Sequence, residues 1–307
     1  DCTIIEKPNL TTLPKGVKNK TEIENQRLAY IKDGVALTKF FHWLHDNLGK
    51  IEITEMYASD QLLQFREGME DFIEPSFETI AAYGPNAAMM HYSATEDNNA
   101  VLGKSGLFLL DSGGQYLNGT TDITRTIALG DLNPEEKRDF TLVLKGHINL
   151  ISARFLQGSS GHELDVLARH PLWMEGEDYK SGTGHGVGYL LNVHEGPHRI
   201  ASMPNSVALE PGMVVTIEPG IYKEGKHGIR TENVVVVKED IQTDSGQFYS
   251  FDMLSWCYID TSCVDKELLT PNEVEWLNNY NNNVYEKLSP HLDEDVKAWL
   301  RVKTREI

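Results

Sequence analysis

The 307-residue chain carries 46 acidic against 28 basic residues, a formal net charge of -18, which repels a phosphate backbone and speaks against bare nucleic-acid binding. With 40% hydrophobic and 24% charged residues it has the composition of an ordinary globular protein, neither disordered nor fibrous, and is long enough for one large α/β unit. Its three cysteines, Cys2, Cys257 and Cys263, match neither a dense disulfide framework nor a zinc pair, and no apolar run reaches the length of a membrane span; a reducing, cytoplasmic setting and no membrane partner are expected.

Residues 1 to 20 read as an irregular opening segment, since Pro8, Pro14 and Gly16 interrupt any regular pattern, and residues 21 to 307 as one domain. Asp1 brings neither an initiator methionine nor a signal-peptide pattern, so a fragment or processed product is expected. Thr21 with Glu24 forms a capping-box pattern, and Leu28, Ile31, Val35, Phe41, Leu44 and Leu48 mark the apolar stripe of a helix that ends at Gly49. A second helix is expected from about Thr54 to Arg66. Leu107 to Asp111 reads as a strand stopped by Ser112-Gly113-Gly114, and a partner strand over Asp122 to Leu129 would close a hairpin. Asn133-Pro134-Glu135-Glu136 supplies an N-cap, a first-turn proline and acids at the positive helix end, opening a helix to about Phe155, with another near His162 to Arg169. Met213 to Glu218 and Ile229 to Val237 read as a second hairpin, and helices opened by Pro271 and carrying Val296, Trp299 and Leu300 close the chain.

Five potential metal ligands sit at strand ends or glycine-rich bends. Asp111 closes one strand and Asp122 lies on its partner, so a hairpin would bring both carboxylates to one side of the sheet. His185 stands in Ser-Gly-Thr-Gly-His-Gly-Val-Gly, where glycines permit close backbone approach. Glu218 ends an apolar run before Pro219-Gly220, and Glu232 interrupts the run that continues as Val234 to Val237, with Arg230 on the same face by period-two alternation. Taken singly each has a plain structural explanation: a turn aspartate, a loop histidine, a buried Arg-Glu pair. Together they form an oxygen-rich set suited to hard divalent ions, manganese before a thiolate-preferring metal, and mutual repulsion among four carboxylates argues for two ions. Two such ions can hold a bridging hydroxide and polarise a carbonyl, which makes hydrolysis the implied reaction class.

The runs Leu-Leu-Asp111-Ser-Gly-Gly-Gln-Tyr, Thr-Thr-Asp122-Ile-Thr-Arg-Thr, Gly-Thr-Gly-His185-Gly-Val-Gly, Glu218-Pro-Gly-Ile-Tyr and Gly-Ile-Arg230-Thr-Glu232-Asn resemble the Xaa-Pro aminopeptidase branch of the pita-bread metallopeptidases. Asn192-Val-His194-Glu-Gly-Pro is similar to the three-domain cytosolic type, whose catalytic domain is C-terminal, so two upstream domains are expected to be missing here. The resemblance covers about residues 20 to 300 in order. It implies an α/β pita-bread fold, a curved antiparallel sheet with pseudo-twofold symmetry flanked by helices. It also implies release of the first residue from peptides with proline second, and a possible homodimer. By the same resemblance Asp111 holds one metal, Asp122 and Glu232 bridge both, and His185 and Glu218 complete the other, with Mn2+ preferred over Zn2+ or Co2+. Glu218 would also be the general base, His91 would contact substrate, and His194 would stabilise the reacting carbonyl. Trp173, Tyr222 and Arg230 fall at substrate-site positions.

The chain departs from the family at Ser181, where a histidine is usual four positions before the metal histidine, and in Phe251 to Tyr258, a difference expected to concern packing. Two other readings share parts of the pattern. A prolidase or creatinase-like hydrolase would use the same ligands, and a peptide-binding domain that has lost catalysis would lack several of them.

Overall fold

A computed structural model describes residues 9–307; Cys2 and Pro8 lie outside the described residues. Part of the opening segment is regular after all. α1 (Thr12–Gly16) is a single helical turn with Pro14 among its first residues, whose N–H groups have no intrahelical acceptor to lose. α2 (Lys20–Asn47) is capped by Asn19 and Glu22 rather than by Thr21 and Glu24: Asn19 Oδ1 accepts from the Glu22 N–H at 3.0 Å and Glu22 Oε2 from the Asn19 N–H at 2.8 Å. Asparagine is the stronger N-cap of the two candidates. Leu28, expected on the apolar stripe, is exposed, because the buried face runs through Tyr30, Val35, Phe41 and Leu44.

α3 (Glu55–Glu67) is capped by Thr54. β1 (Phe72–Pro75) and β2 (Ile80–Tyr83) precede β3 (Leu107–Ser112), β4 (Gly114–Tyr116), β5 (Gly119–Thr120) and β6 (Ile123–Ala128). β3 pairs with β6 antiparallel, Asp111 opposite Thr124, as the expected hairpin requires. The connection is not a simple turn, however: β4 and β5 form a small excursion that joins β1 in its own sheet. α4 (Pro134–Ile151) opens at the Asn133 cap and stops short of Phe155, because Arg154–Leu156 forms β7 at the edge of the second sheet. α5 (Gly161–Trp173), β8 (Gly184–His185) and β9 (Arg199–Ile200) follow.

The second expected hairpin is longer and bent. β10 (Val214–Ile217) pairs with β13 (Asn233–Thr243), and β11 (Gly220–Lys223) pairs with β12 (His227–Arg230). Both legs break at the same level, at Glu218-Pro219 on one and Thr231-Glu232 on the other. Pro219 has no N–H to continue the ladder, so each acid sits at a kink rather than inside a strand. β14 (Gly246–Met253), α6 (Pro271–Leu288) and α7 (Glu294–Lys303) complete the chain. Phe40, Phe41, Leu62, Phe108, Phe140 and Leu277 belong to the main core, which packs helices against the sheet of β2, β3 and β6. A second cluster with Leu150, Leu164, Val215, Ile217 and Val235 lies between α4, α5 and the sheet of β10, β13, β14 and β7. Among the described residues no helix is long and apolar enough to cross a membrane.

Candidate metal centre

Asp111, Asp122, His185, Glu218 and Glu232 all line one cavity of about 100 Å³, together with Phe77, Ile80, Met90, His91, Ser181, His194, Tyr222 and Arg230. Among these, ligand atoms of Asp122, His185 and Glu232 lie within 4.8 Å of one another. His91 and His194 stand exposed at the rim, while Asp111, Asp122 and Glu232 are buried. Trp173, expected at the substrate, is 49% exposed at the C-terminal end of α5 and does not line the cavity.

Each ligand is oriented by its neighbours. A Cβ at Gly184 would overlap the Thr216 carbonyl and one at Gly186 the Glu195 carbonyl. The glycines flanking His185 therefore let β8 press against β10. His185 Nδ1 faces the Gly186 carbonyl at 2.9 Å, which directs Nε2 to the carboxylates, 3.4 Å from both Asp122 Oδ2 and Glu218 Oε1. The Thr216 hydroxyl accepts from the His185 N–H and donates to Glu218 Oε1, both at 2.9 Å. The Thr124 hydroxyl donates to Glu232 Oε2 at 2.7 Å. Neither threonine was singled out in the sequence, although alternation places each on the same face as an acid two positions away. Arg125 was missed as well. Buried, it donates to the carbonyls of Glu232, Cys257 and Tyr258 and to the Tyr280 hydroxyl, tying the Glu232 kink to the C-terminal region. The atypical Phe251 to Tyr258 run supplies two of those carbonyls, and Trp256 stacks on Tyr280, so this run does serve packing.

Arg230 does not pair with Glu232 as period-two alternation would place it, since the kink at Thr231 interrupts the strand. It donates to Asp111 Oδ2, to the Tyr222 hydroxyl at 2.7 Å and to the Thr124 hydroxyl at 3.0 Å. Arg230 thus faces Asp111 and, at 4.0 Å, Glu218. Burial, only partly offset by a hydrogen bond from His185, raises Asp122 to about 7, with the charge of Asp111 adding to the rise. Burial and the charge of Asp122 push Glu232 well above the usual carboxylate range. Burial opposes the charge on His185, but its hydrogen bond to Asp122 and the charge of Glu218 outweigh it and push the imidazole up to about 9. Asp111 Oδ1 is buried without a hydrogen-bond partner. Orphaned oxygen, crowded acids and an aimed imidazole nitrogen are the donor set that hard divalent cations fill.

The chain belongs to metallopeptidase family M24, whose model matches residues 24–239, with the family's C-terminal region matching residues 247–307. It has the pita-bread fold of that family. Among curated relatives it is 46% identical to a probable Xaa-Pro aminopeptidase P of Tuber melanosporum, with 95% of the chain and 49% of that protein covered. It is 41% identical to aminopeptidase P1 of Lotus japonicus, covering 99% and 50%. The solved X-prolyl aminopeptidase of Caenorhabditis elegans, described as a cytosolic enzyme with a di-nuclear active site, superposes with a TM-score of 0.93 at 39% identity, covering 97% of this chain and 50% of that one. An Xaa-Pro dipeptidase of Bacillus anthracis superposes with a TM-score of 0.68 at 29% identity, covering 81% and 65%. The chain spans about half the length of the curated relatives it matches.

Proposed function

We propose that the chain, residues 21 to 307 with their opening segment, is the catalytic part of a cytoplasmic, homodimeric Xaa-Pro aminopeptidase that removes the first residue of peptides with proline second. The observation that carries this reading is the convergence of four carboxylates and one imidazole on a single cavity rimmed by two further histidines. Asp111 would hold one divalent ion, His185 and Glu218 the other, with Asp122 and Glu232 shared and manganese preferred. When bound, the ions would supply a nucleophile from water at neutral pH and a Lewis acid for the scissile carbonyl.

The remaining work falls to the chain's own groups. Glu218 takes the proton of the nucleophilic water; its Oε1 is held by the Thr216 hydroxyl, and its Oε2, 4.0 Å from Arg230 Nε and without a hydrogen bond among the described residues, is the oxygen that can turn to the reacting atoms. His194 packs edge-on to His185, ring centroids 4.1 Å apart. Partial desolvation holds its basicity down, so it meets the developing oxyanion as a neutral N–H donor. His91 on the opposite rim contacts the substrate. Phe77, Ile80 and Met90 offer the apolar wall that a pyrrolidine ring needs, and a ring-shaped pocket selects proline because its nitrogen has no hydrogen to recognise. Arg230 and Tyr222 keep Asp111 in place from behind.

A prolidase-type dipeptidase is the second reading, supported by the likeness to the Bacillus anthracis dipeptidase. Against it stands a groove of about 530 Å³ that continues from the cavity at His194 past Ile73, Gln115 and Leu191. A dipeptide would leave it empty. The test is an assay of purified protein on Xaa-Pro-Xaa and Xaa-Pro peptides, with chelator and then manganese added back. Release of the first residue from the tripeptide, lost with chelator and recovered with metal, is the expected result. Metal-independent cleavage, or cleavage of dipeptides alone, would contradict the reading.

A further inference from the structure

The geometry points to Lys18 as a positioning residue that acts through Glu195 to hold His194 over the cavity, so that the opening segment forms part of the active site. Glu195 follows His194 and is 7% exposed. Lys18 Nζ meets its Oε1 at 2.7 Å and Lys15 Nζ its Oε2 at 2.6 Å, and no other cation pairs with it among the described residues. The Lys18 side chain is 2% exposed and that of Glu195 6%, so this pair is cut off from solvent, whereas Lys15 is 42% exposed; removing Lys18 takes from Glu195 its one buried counter-charge beside a site histidine.

The backbone on both sides is fixed. The Glu195 N–H donates to the Gly186 carbonyl at 2.7 Å, one residue beyond His185. A Cβ at Gly16 would stand 3.1 Å from Pro197 Cδ, so α1 lies directly on the stretch after His194. The Lys18 N–H donates to the Gly212 carbonyl at 2.9 Å, and Val17 bridges to Met213 just ahead of β10. The His194 stretch is therefore clamped between the strand that carries His185 and the chain segment that leads into the domain. Among the described residues the exposed His194 ring makes no hydrogen bond, so its aim depends on its edge-on contact with His185 and on the backbone that Glu195 anchors.

The kinetic part of the inference rests on the Xaa-Pro peptidase reading; the structural part does not. Lys18→Met, Glu195→Gln and the double variant are compared with the wild type, manganese-loaded, by hydrogen exchange and by turnover of an Xaa-Pro-Xaa peptide. In Lys18→Met, amides of residues 187 to 195 should exchange at least roughly tenfold faster while α4 and α6 keep their protection. The kcat should fall about tenfold with KM within about twofold and metal content unchanged, and the double variant should be no worse than the more impaired single one, as for residues acting as one unit. The half-exposed Lys15→Met should give the same pattern at smaller amplitude and serves if Lys18→Met does not fold. Unchanged exchange at 187 to 195, a rise shared equally by α4 and α6, or a loosened stretch with wild-type kcat would each overturn the inference. If the wild type cleaves no Xaa-Pro peptide, the functional reading fails, while the exchange result still decides whether Lys18 holds the His194 stretch.

Discussion

Replacing Gly184 by alanine tests the link between backbone packing and metal binding. The added Cβ would overlap the Thr216 carbonyl oxygen and stand 2.9 Å from its carbon and 3.3 Å from its hydroxyl oxygen. Both residues are buried in strands, so the overlap cannot be relieved by a side-chain turn, and β8 must move away from β10 by on the order of 1 Å. Two losses follow from that one displacement. His185 Nε2, now 3.4 Å from Asp122 and from Glu218, recedes from both carboxylates, and the Thr216 hydroxyl no longer bonds the His185 N–H and Glu218 together. A misplacement of ~1 Å costs on the order of 100-fold in turnover, or about 2.7 kcal/mol of transition-state stabilisation, and disturbed ligand orientation costs ~10- to 100-fold in metal affinity. Calorimetric titration of metal-free protein with manganese, followed by kcat/KM on an Xaa-Pro-Xaa peptide, reads both. Gly68→Ala is the control: Gly68 ends α3 with φ -74 and the nearest atom to its Cβ is 3.5 Å away, so affinity and turnover should stay at wild type. Wild-type affinity and turnover in Gly184→Ala would refute the reasoning.

Metal loading should release protons: at pH 7 the metal-free site holds one on His185 and part of one on Asp122, with Glu232 shifted in the same direction, and each must lose its proton to bind a cation. At least about one proton per chain is expected at pH 7, with affinity rising as pH rises toward 9; calorimetry in two buffers of different ionisation heat measures the number, and zero release would contradict the crowding described above. Arg230→Met removes the guanidinium facing Asp111 and breaks a buried pair, which should cost the metal-free protein ~3–5 kcal/mol. Manganese should restore part of that loss, so melting temperatures should diverge from wild type more without metal than with it. His147 is buried in α4 with both ring nitrogens lacking a hydrogen-bond partner, and burial with the charge of Arg125 lowers it to about 3. The unfolded chain takes up this proton near pH 6.5 and the folded chain only near 3, so its contribution is complete above pH 6.5 and is lost as pH falls toward 3. Between pH 7 and 4 the loss is roughly 3 kcal/mol, and urea midpoints of His147→Leu should show a pH dependence flatter by that amount.

Local signals told most about the elements and least about their bends. Thr54 and Asn133 cap helices where the sequence puts them, because an N-cap is decided within four residues. Thr21 with Glu24 satisfied the same pattern as Asn19 with Glu22, and only the anchoring of Lys18 and the stronger cap separate the two. The five candidate ligands were visible because each interrupts an apolar strand or a glycine run, and burying such groups without purpose is costly. What was not visible depends on partners far away in the chain. The excursion of β4 and β5 exists because β1 offers them an edge, and Arg230 turns to Asp111, 119 residues away, once Thr231 breaks the alternation. Lys18 and Glu195 lie 177 residues apart and carry no mutual signature. Trp173 was assigned by resemblance alone, and in this chain its position at a helix end keeps it away from the cavity.

The central claim is that two dications share this set of five side chains, and anomalous diffraction from crystals loaded with manganese tests it most directly. Two peaks should appear within ~4 Å of each other, one bound by Asp111, the other by His185 Nε2 and Glu218, with Asp122 and Glu232 touching both. A single peak, or manganese bound elsewhere while Arg230 and the four acids remain paired among themselves, would contradict the account.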